Sequence, residues 1–265
     1  MTGHRPDLLR TAWILLAAAV ACQIAYPLVE GTARDRLTVA TVLVTFAAVA
    51  CHATFRSGAA VAVAALGLVL VVAVGVETLG VHTGVPFGDY DYGPGLGPEF
   101  AGVPLVIPAA WAMTAYPALL VARTLTRGLT RRHGRWATAL VAGWALASWD
   151  VFLDPQMVEE GYWRWADPDP SLPGSPDVPL TNYVGWVVVS VLLMAVLDRV
   201  LPRDDDPSHG DPLPGLLYLW TYAAQVLGNL VFFDRPAVAL LGGLAMGAVA
   251  IPYARTLPVL AGARA

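Results

Sequence analysis

Apolar runs separated by short polar stretches recur along the whole chain. A membrane helix needs about 20 mostly apolar residues. Eight runs approach that length, at roughly 12–29, 37–53, 59–78, 103–122, 136–152, 183–201, 215–232 and 236–254. The pattern predicts an all-α polytopic membrane helix bundle of about eight transmembrane helices. Seven is the alternative, if the last two runs form a re-entrant pair. Nothing between the runs is long enough for a soluble domain, so residues 1–265 read as a single integral-membrane domain. Helices suit that setting because they satisfy their backbone hydrogen bonds internally.

The polar positions fall in a few places. Two long loops on the outer side, Glu77 to Gly102 and Leu153 to Asn182, are acidic, aromatic and rich in Gly and Pro. Loops of this length in a compact bundle are functional or disordered, and the aromatic content argues against disorder. Polar groups gather at the neighbouring helix ends. Glu77 closes the third run, Asp150 closes the fifth, and Asn182 opens the sixth. Tyr222, Gln225 and Asn229 form an i, i+3, i+7 stripe on the seventh. All approach one layer near the outer interface, and ionisable groups at membrane depth point to function.

Composition supports this picture. Hydrophobic residues make up 57% of the chain and charged ones 14%, against about 25% charged in a typical soluble domain. Every basic residue is arginine. With the N-terminus inside, the inner segments hold Arg5, Arg10, Arg56, five arginines from Arg123 to Arg135, Arg199, Arg203, Arg255 and Arg264. The outer segments hold Arg34, Arg36, Arg164 and Arg235. The positive-inside rule then predicts a multi-pass protein of the cell membrane with both termini cytoplasmic. The first run reads as a membrane helix rather than a cleaved leader. Cys22 and Cys51 lie at different predicted depths, which argues against a disulfide. No nucleic-acid partner is expected, and the oligomeric state is not legible here.

Each candidate has a plainer reading. Asp150 and Asp154 share a helix face, and the macrodipole opposes both near a helix C-terminus. Asp154 could cap a short following helix with Pro155 at its first position. Asp150 has no such explanation. Glu77 is either buried or reaches the interface. Asp89 and Asp91 sit in FGDYDYGPG and could simply shape turns. Tyr162, Trp163, Trp165, Tyr183 and Trp186 fit an interfacial aromatic belt or the mouth of a pocket. The acidic run Asp204 to Asp206 reads as a solvated loop. His52, His82 and His133 are too scattered for a metal site. Half of a prenyltransferase-like aspartate signature is present, DxxxD at 150–154, without its second half.

Four segments carry a resemblance: ETLGVHTGVPFGDYDY, GVPLVIPAAW, SWDVFLDPQMVEEGYWRW and PLTNYVGW. Over roughly residues 70 to 190 the chain resembles the integral-membrane carotenoid biosynthesis family of CruF-type hydratases, which includes bisanhydrobacterioruberin hydratase-like enzymes. That resemblance implies water addition across the terminal double bond of an acyclic carotenoid, giving a tertiary alcohol. Carotenoid and membrane lipid are the implied partners, and no cofactor is required. A buried carboxylic acid would protonate the alkene. Aromatic faces would stabilise the carbocation, and a second carboxylate would direct the water, two such groups dividing acid and base roles. Asp150, Glu77, Asp154 and Asp89 are the expected catalytic groups. Trp149, Tyr90, Tyr92, Trp111, Trp163, Trp165, Asn182, Trp186, Tyr222 and Asn229 are the expected substrate contacts. Two rivals stay open. A carotenoid cyclase would begin with the same protonation but exclude water. A non-enzymatic transporter or isoprenoid-binding protein is the reading from another class; the prolines at 104, 108 and 117 would suit a transporter's broken helix.

Overall fold

The computed structural model describes residues 5–203 and 212–262. Eight helices follow one another through it: α1 (Arg5–Ala25), α2 (Thr32–Ser57), α3 (Ala59–Thr83), α4 (Val106–Leu125), α5 (Arg131–Glu159), α6 (Leu180–Val200), α7 (Leu213–Val231) and α8 (Pro236–Gly262). Seven are long and apolar enough to cross a membrane, which makes this a multi-pass membrane protein. The exception is α7, whose Trp220, Tyr222, Gln225 and Asn229 lower its hydropathy. Helix α4 is the centre of the bundle and packs on α2, α3, α5, α7 and α8. Around it, α5 lies along α6 and α1 along α2.

Small residues set the closest approaches. A Cβ on Gly143 of α5 would sit 2.7 Å from the Val191 backbone of α6. Only glycine lets these two helices meet so closely.

Two helices run past their expected ends. Apolar patterning places the end of the third span near 78, yet α3 continues to Thr83. It stops at Gly84, whose φ of 72° gives a left-handed cap. Glu77 is therefore well inside the helix rather than at its rim. Helix α5 runs through Pro155 to Glu159. The plainer reading of Asp154 as a helix cap therefore does not hold. Pro155 removes the bond that would reach the Val151 carbonyl, and membrane bundles tolerate that loss where neighbours pack the helix.

The two loops are correspondingly shorter and are joined to each other. Strand β1 (Tyr90–Tyr92) comes from the first loop, followed by β2 (Glu99–Phe100) and β3 (Val103–Pro104). The second loop supplies β4 (Trp163–Trp165), β5 (Ser171–Leu172) and β6 (Ser175–Pro179). β1 pairs antiparallel with β4, placing Tyr90 opposite Trp165, Asp91 opposite Arg164 and Tyr92 opposite Trp163. Strand alternation then divides the faces. Asp91 and Arg164 are exposed, while Tyr90 and Trp163 are buried. The pairing extends to Gly93, whose N–H donates to the Tyr162 carbonyl at 2.8 Å. A Cβ on Gly93 would lie 2.1 Å from the Gly161 oxygen, so that position has room for nothing larger.

Arginine pairing differs at the two ends. At the loop end, Arg34 pairs with Glu160 and Arg235 with Glu159. At the opposite end, Asp198 accepts from Arg123 at 2.8 Å and Arg203 at 2.7 Å. Arg123 also caps α6 through the carbonyls of Asp198 and Leu201. Cys22 and Cys51 are free. The acidic run 204–206 lies outside the described residues.

Candidate active site

Beneath the joined loops is a cavity of about 440 Å³. Its walls come from every helix of the bundle, with α8 contributing only Met246. Three carboxyl side chains line it, Glu77, Asp150 and Asp154, and each is at least 96% buried. Burying carboxyl groups is costly without partners, so their partners define the site.

Asp150 and Asp154 project one turn apart from α5 and meet Asn182 in the first turn of α6. The Asn182 Nδ2 donates to Asp150 Oδ2 at 3.0 Å and also to Asp154 Oδ2. One amide thus bridges two carboxyl groups. Trp163 Nε1 of β4 donates to Asp154 Oδ1 at 3.1 Å. Asp150 Oδ1 is buried without a protein partner, as is the neighbouring Trp149 Nε1. An orphaned oxygen here is a place for a proton, a water or a substrate atom.

Glu77 is served differently. Tyr90 Oη and Tyr92 Oη both donate to its Oε2, the latter at 2.8 Å, and Trp111 Nε1 donates to its Oε1 at 2.9 Å. Three donors on two oxygens suit a carboxylate, which only accepts. Burial raises the Tyr90 and Tyr92 phenols above their ordinary range, and the adjacent Glu77 charge adds to this. Both therefore stay protonated and act as donors.

Aromatic rings fill the space between these polar groups. Trp111 and Trp186 lie 4.5 Å apart between centroids, and Phe87 stands 5.5 Å from Trp186. Tyr90 packs on Trp165 at 5.8 Å and Tyr92 on Trp163 at 5.9 Å. Trp165 Nε1 donates to the Phe87 carbonyl at 2.9 Å, tying β4 to the first loop. These rings line the loop side of the cavity.

Eleven of the fourteen expected catalytic and substrate-contact residues come together here: Glu77, Tyr90, Tyr92, Trp111, Trp149, Asp150, Asp154, Trp163, Trp165, Asn182 and Trp186. Asp89 does not join them; it is exposed, and its carbonyl accepts from Ala166 N at 2.8 Å, where the β1–β4 pairing continues. The α7 stripe divides. Gln225 lines the cavity, Asn229 donates back to the Gln225 carbonyl at 2.9 Å, and Tyr222 faces Gly247 of α8. Phe87 and Gln156 are among the cavity residues that escaped notice in the sequence. Gln156 had a signal, an amide in an apolar helix two positions after Asp154. Phe87 had none beyond the aromatic loop around it. Among the described residues no cluster of three or more metal-ligating side chains occurs.

Comparison with known proteins bears on the family. The family model described as "Carotenoid biosynthesis protein" matches residues 37–250. Bisanhydrobacterioruberin hydratase of Haloarcula japonica is 31% identical over 177 residues, covering 62% of this chain and 56% of that protein. The chain thus matches little more than half the length of that relative. No solved structure matches it.

Proposed function

The chain belongs to the carotenoid biosynthesis protein family, and from that premise we propose that it is a hydratase acting on the end group of an acyclic carotenoid. The observation that carries the proposal is the Asp150–Asn182–Asp154 bridge, with one Asp150 oxygen left without a partner inside an aromatic cavity.

Each group has a role. Asp154 already accepts from Asn182 and Trp163, which suits a carboxylate. Asp150 Oδ1 is the oxygen with room for a proton, so Asp150 is the general acid. Transfer of that proton to the terminal C=C breaks the π bond and leaves a tertiary carbocation. The rings of Trp111, Trp186 and Phe87 border the cavity and stabilise this charge, an attraction worth about 2 kcal/mol or more when desolvated. Glu77, fixed by its three donors, supplies a negative charge that needs no rearrangement as the cation forms. Water then adds to the cation, and the Asp150–Asp154 pair takes up the proton it releases. The product is the tertiary alcohol, water is the only co-reactant, and the acid is restored. Applied to the arginine-rich end, the positive-inside rule directs the joined loops outward and leaves both termini in the cytoplasm of the producing cell.

The test is expression in cells that accumulate an acyclic carotenoid, with Asp150→Asn alongside. A pigment heavier by one water, lost in the variant, is the expected result. An isomer of unchanged mass with a shortened chromophore would move the assignment to a cyclase. Several acyclic carotenoids left unaltered would end the hydratase reading.

A further inference from the structure

The cavity has an apolar end that this chemistry does not use. Ile24 of α1 and Leu227 of α7 both line it, yet each is 57% exposed. A residue that both lines a cavity and faces outward marks an opening. The opening lies where two helices are poorly joined. α7 packs chiefly on α8 and α4, and α1 on α2. Between α1 and α7 the wall is bridged by a side-chain bond, Trp220 Nε1 donating to Gln23 Oε1 at 2.5 Å. The surface around the opening is aliphatic and aromatic, with Leu28 and Phe232 exposed beside it. Such a rim on a multi-pass bundle faces lipid, not water.

The opposite side of the cavity is closed. The β1–β4 pairing, with Trp165 bonded to the Phe87 carbonyl, covers the carboxyl groups. A long apolar chain passing that way would be exposed to water. From the bilayer it exchanges one apolar neighbour for another.

We infer that the cleft between α1 and α7 is a lateral portal in which the polyene chain lies while one end group occupies the carboxylate site, and that Gln23 and Trp220 form its clasp. This rests on the carotenoid reading above. Ile24 and Leu227 are then contacts for the substrate's unreacted length, and they discriminate long chains from short ones.

Leu227→Trp and Ile24→Trp narrow the opening without touching the carboxyl groups. Two readouts are used on the full-length protein. The first is carotenoid co-purifying with it, followed by visible absorption, which does not depend on turnover. The second is hydration of a full-length acyclic carotenoid against a short acyclic isoprenoid bearing the same end group. The expected result is a loss of about tenfold in bound carotenoid and in long-chain turnover, with the short substrate within about twofold of wild type. Normal carotenoid binding in both variants would overturn the portal, and so would equal slowing of the two substrates. Wild-type protein that carries lipid but no carotenoid would overturn the assigned occupant. Binding lost in the variants, from a wild type that hydrates neither substrate, would uphold the portal and sink the hydratase reading instead.

Discussion

Replacing Asn182 with alanine removes the one donor shared by Asp150 and Asp154. Both carboxyl groups are almost fully buried, and only Trp163 remains to serve the pair. A hydrogen bond to a charged group contributes about 1.5–3 kcal/mol, so two lost bonds set a ceiling of about 3–6 kcal/mol. Water entering the vacated space restores part of this. Alanine also frees Asp150 to leave its position facing the cavity. An increase of about 3 kcal/mol in the barrier is expected, which lowers the rate by about a hundredfold at 1.36 kcal/mol per decade. The assay is the initial rate of hydrated product in isolated membranes, normalised to protein, with co-purified carotenoid as a check on the fold. Pigment should stay bound while turnover falls. A variant turning over within about threefold of wild type would refute the assigned role of the bridge.

Three further outcomes are expected. Burial holds the Tyr90 and Tyr92 phenols above their ordinary pKa; an unfolded tyrosine ionises near about 10, so their contribution is fully present below that pH and is lost as pH rises beyond it. Thermal melts in detergent should be insensitive to these tyrosines up to about pH 9 and should decline above about pH 10, less steeply in the Tyr90→Phe, Tyr92→Phe double variant. Gly93→Ala drives a Cβ into the Gly161 carbonyl; overpacking of this kind costs about 1–3 kcal/mol, and protease cleavage within 84–105 should become faster as the β1–β4 pairing loosens. Arg164→Cys, in a Cys22→Ala, Cys51→Ala background, should react with a membrane-impermeant maleimide added to intact cells; labelling only after lysis would reverse the proposed orientation.

The bundle was legible because span length and apolar runs report directly on the bilayer. Helix ends were less so. Hydropathy falls before α3 and α5 stop, because their last turns are covered by the joined loops rather than by lipid. Glu77 and Asp154 therefore look like rim residues in sequence and are interior in the fold. Asn182 was placed in this layer by position, since it opens α6, but it was expected to contact substrate; its bridge between Asp150 and Asp154 depends on how α5 and α6 pack, which no local pattern reports. Pairing of YDY with WRW was beyond reach, for two three-residue strands separated by more than seventy residues leave no periodic signal. Asp89 shows the converse. Its neighbours in FGDYDY alternate inward, and it lies on the other face.

What divides hydration from cyclisation after a shared protonation is whether water can be held beside the cation. A water in a closed site needs about two to four polar partners. The aromatic end of the cavity offers few, which is what a cation requires. The adjoining wall is different. Thr38 and Thr41 of α2, Gln156 of α5 and Gln225 of α7 all line the same space. Thr38 Oγ1 lies 3.3 Å from Tyr162 Oη, which donates in turn to Asp35 Oδ1 at 2.9 Å. These polar side chains border the same cavity as the carboxyl groups, and a cyclase would gain nothing from them. A transporter would place its polar groups near the midplane between two repeats. Here they collect under paired loops at one end of the bundle, around a carboxyl oxygen left without a partner. Gln156→Leu is therefore the substitution that separates the readings. It removes an amide from the polar wall and leaves the proposed acid in place, so substrate should still be consumed while the hydrated product gives way to an isomer of unchanged mass. Continued hydration as the sole outcome would mean that the water arrives by another path.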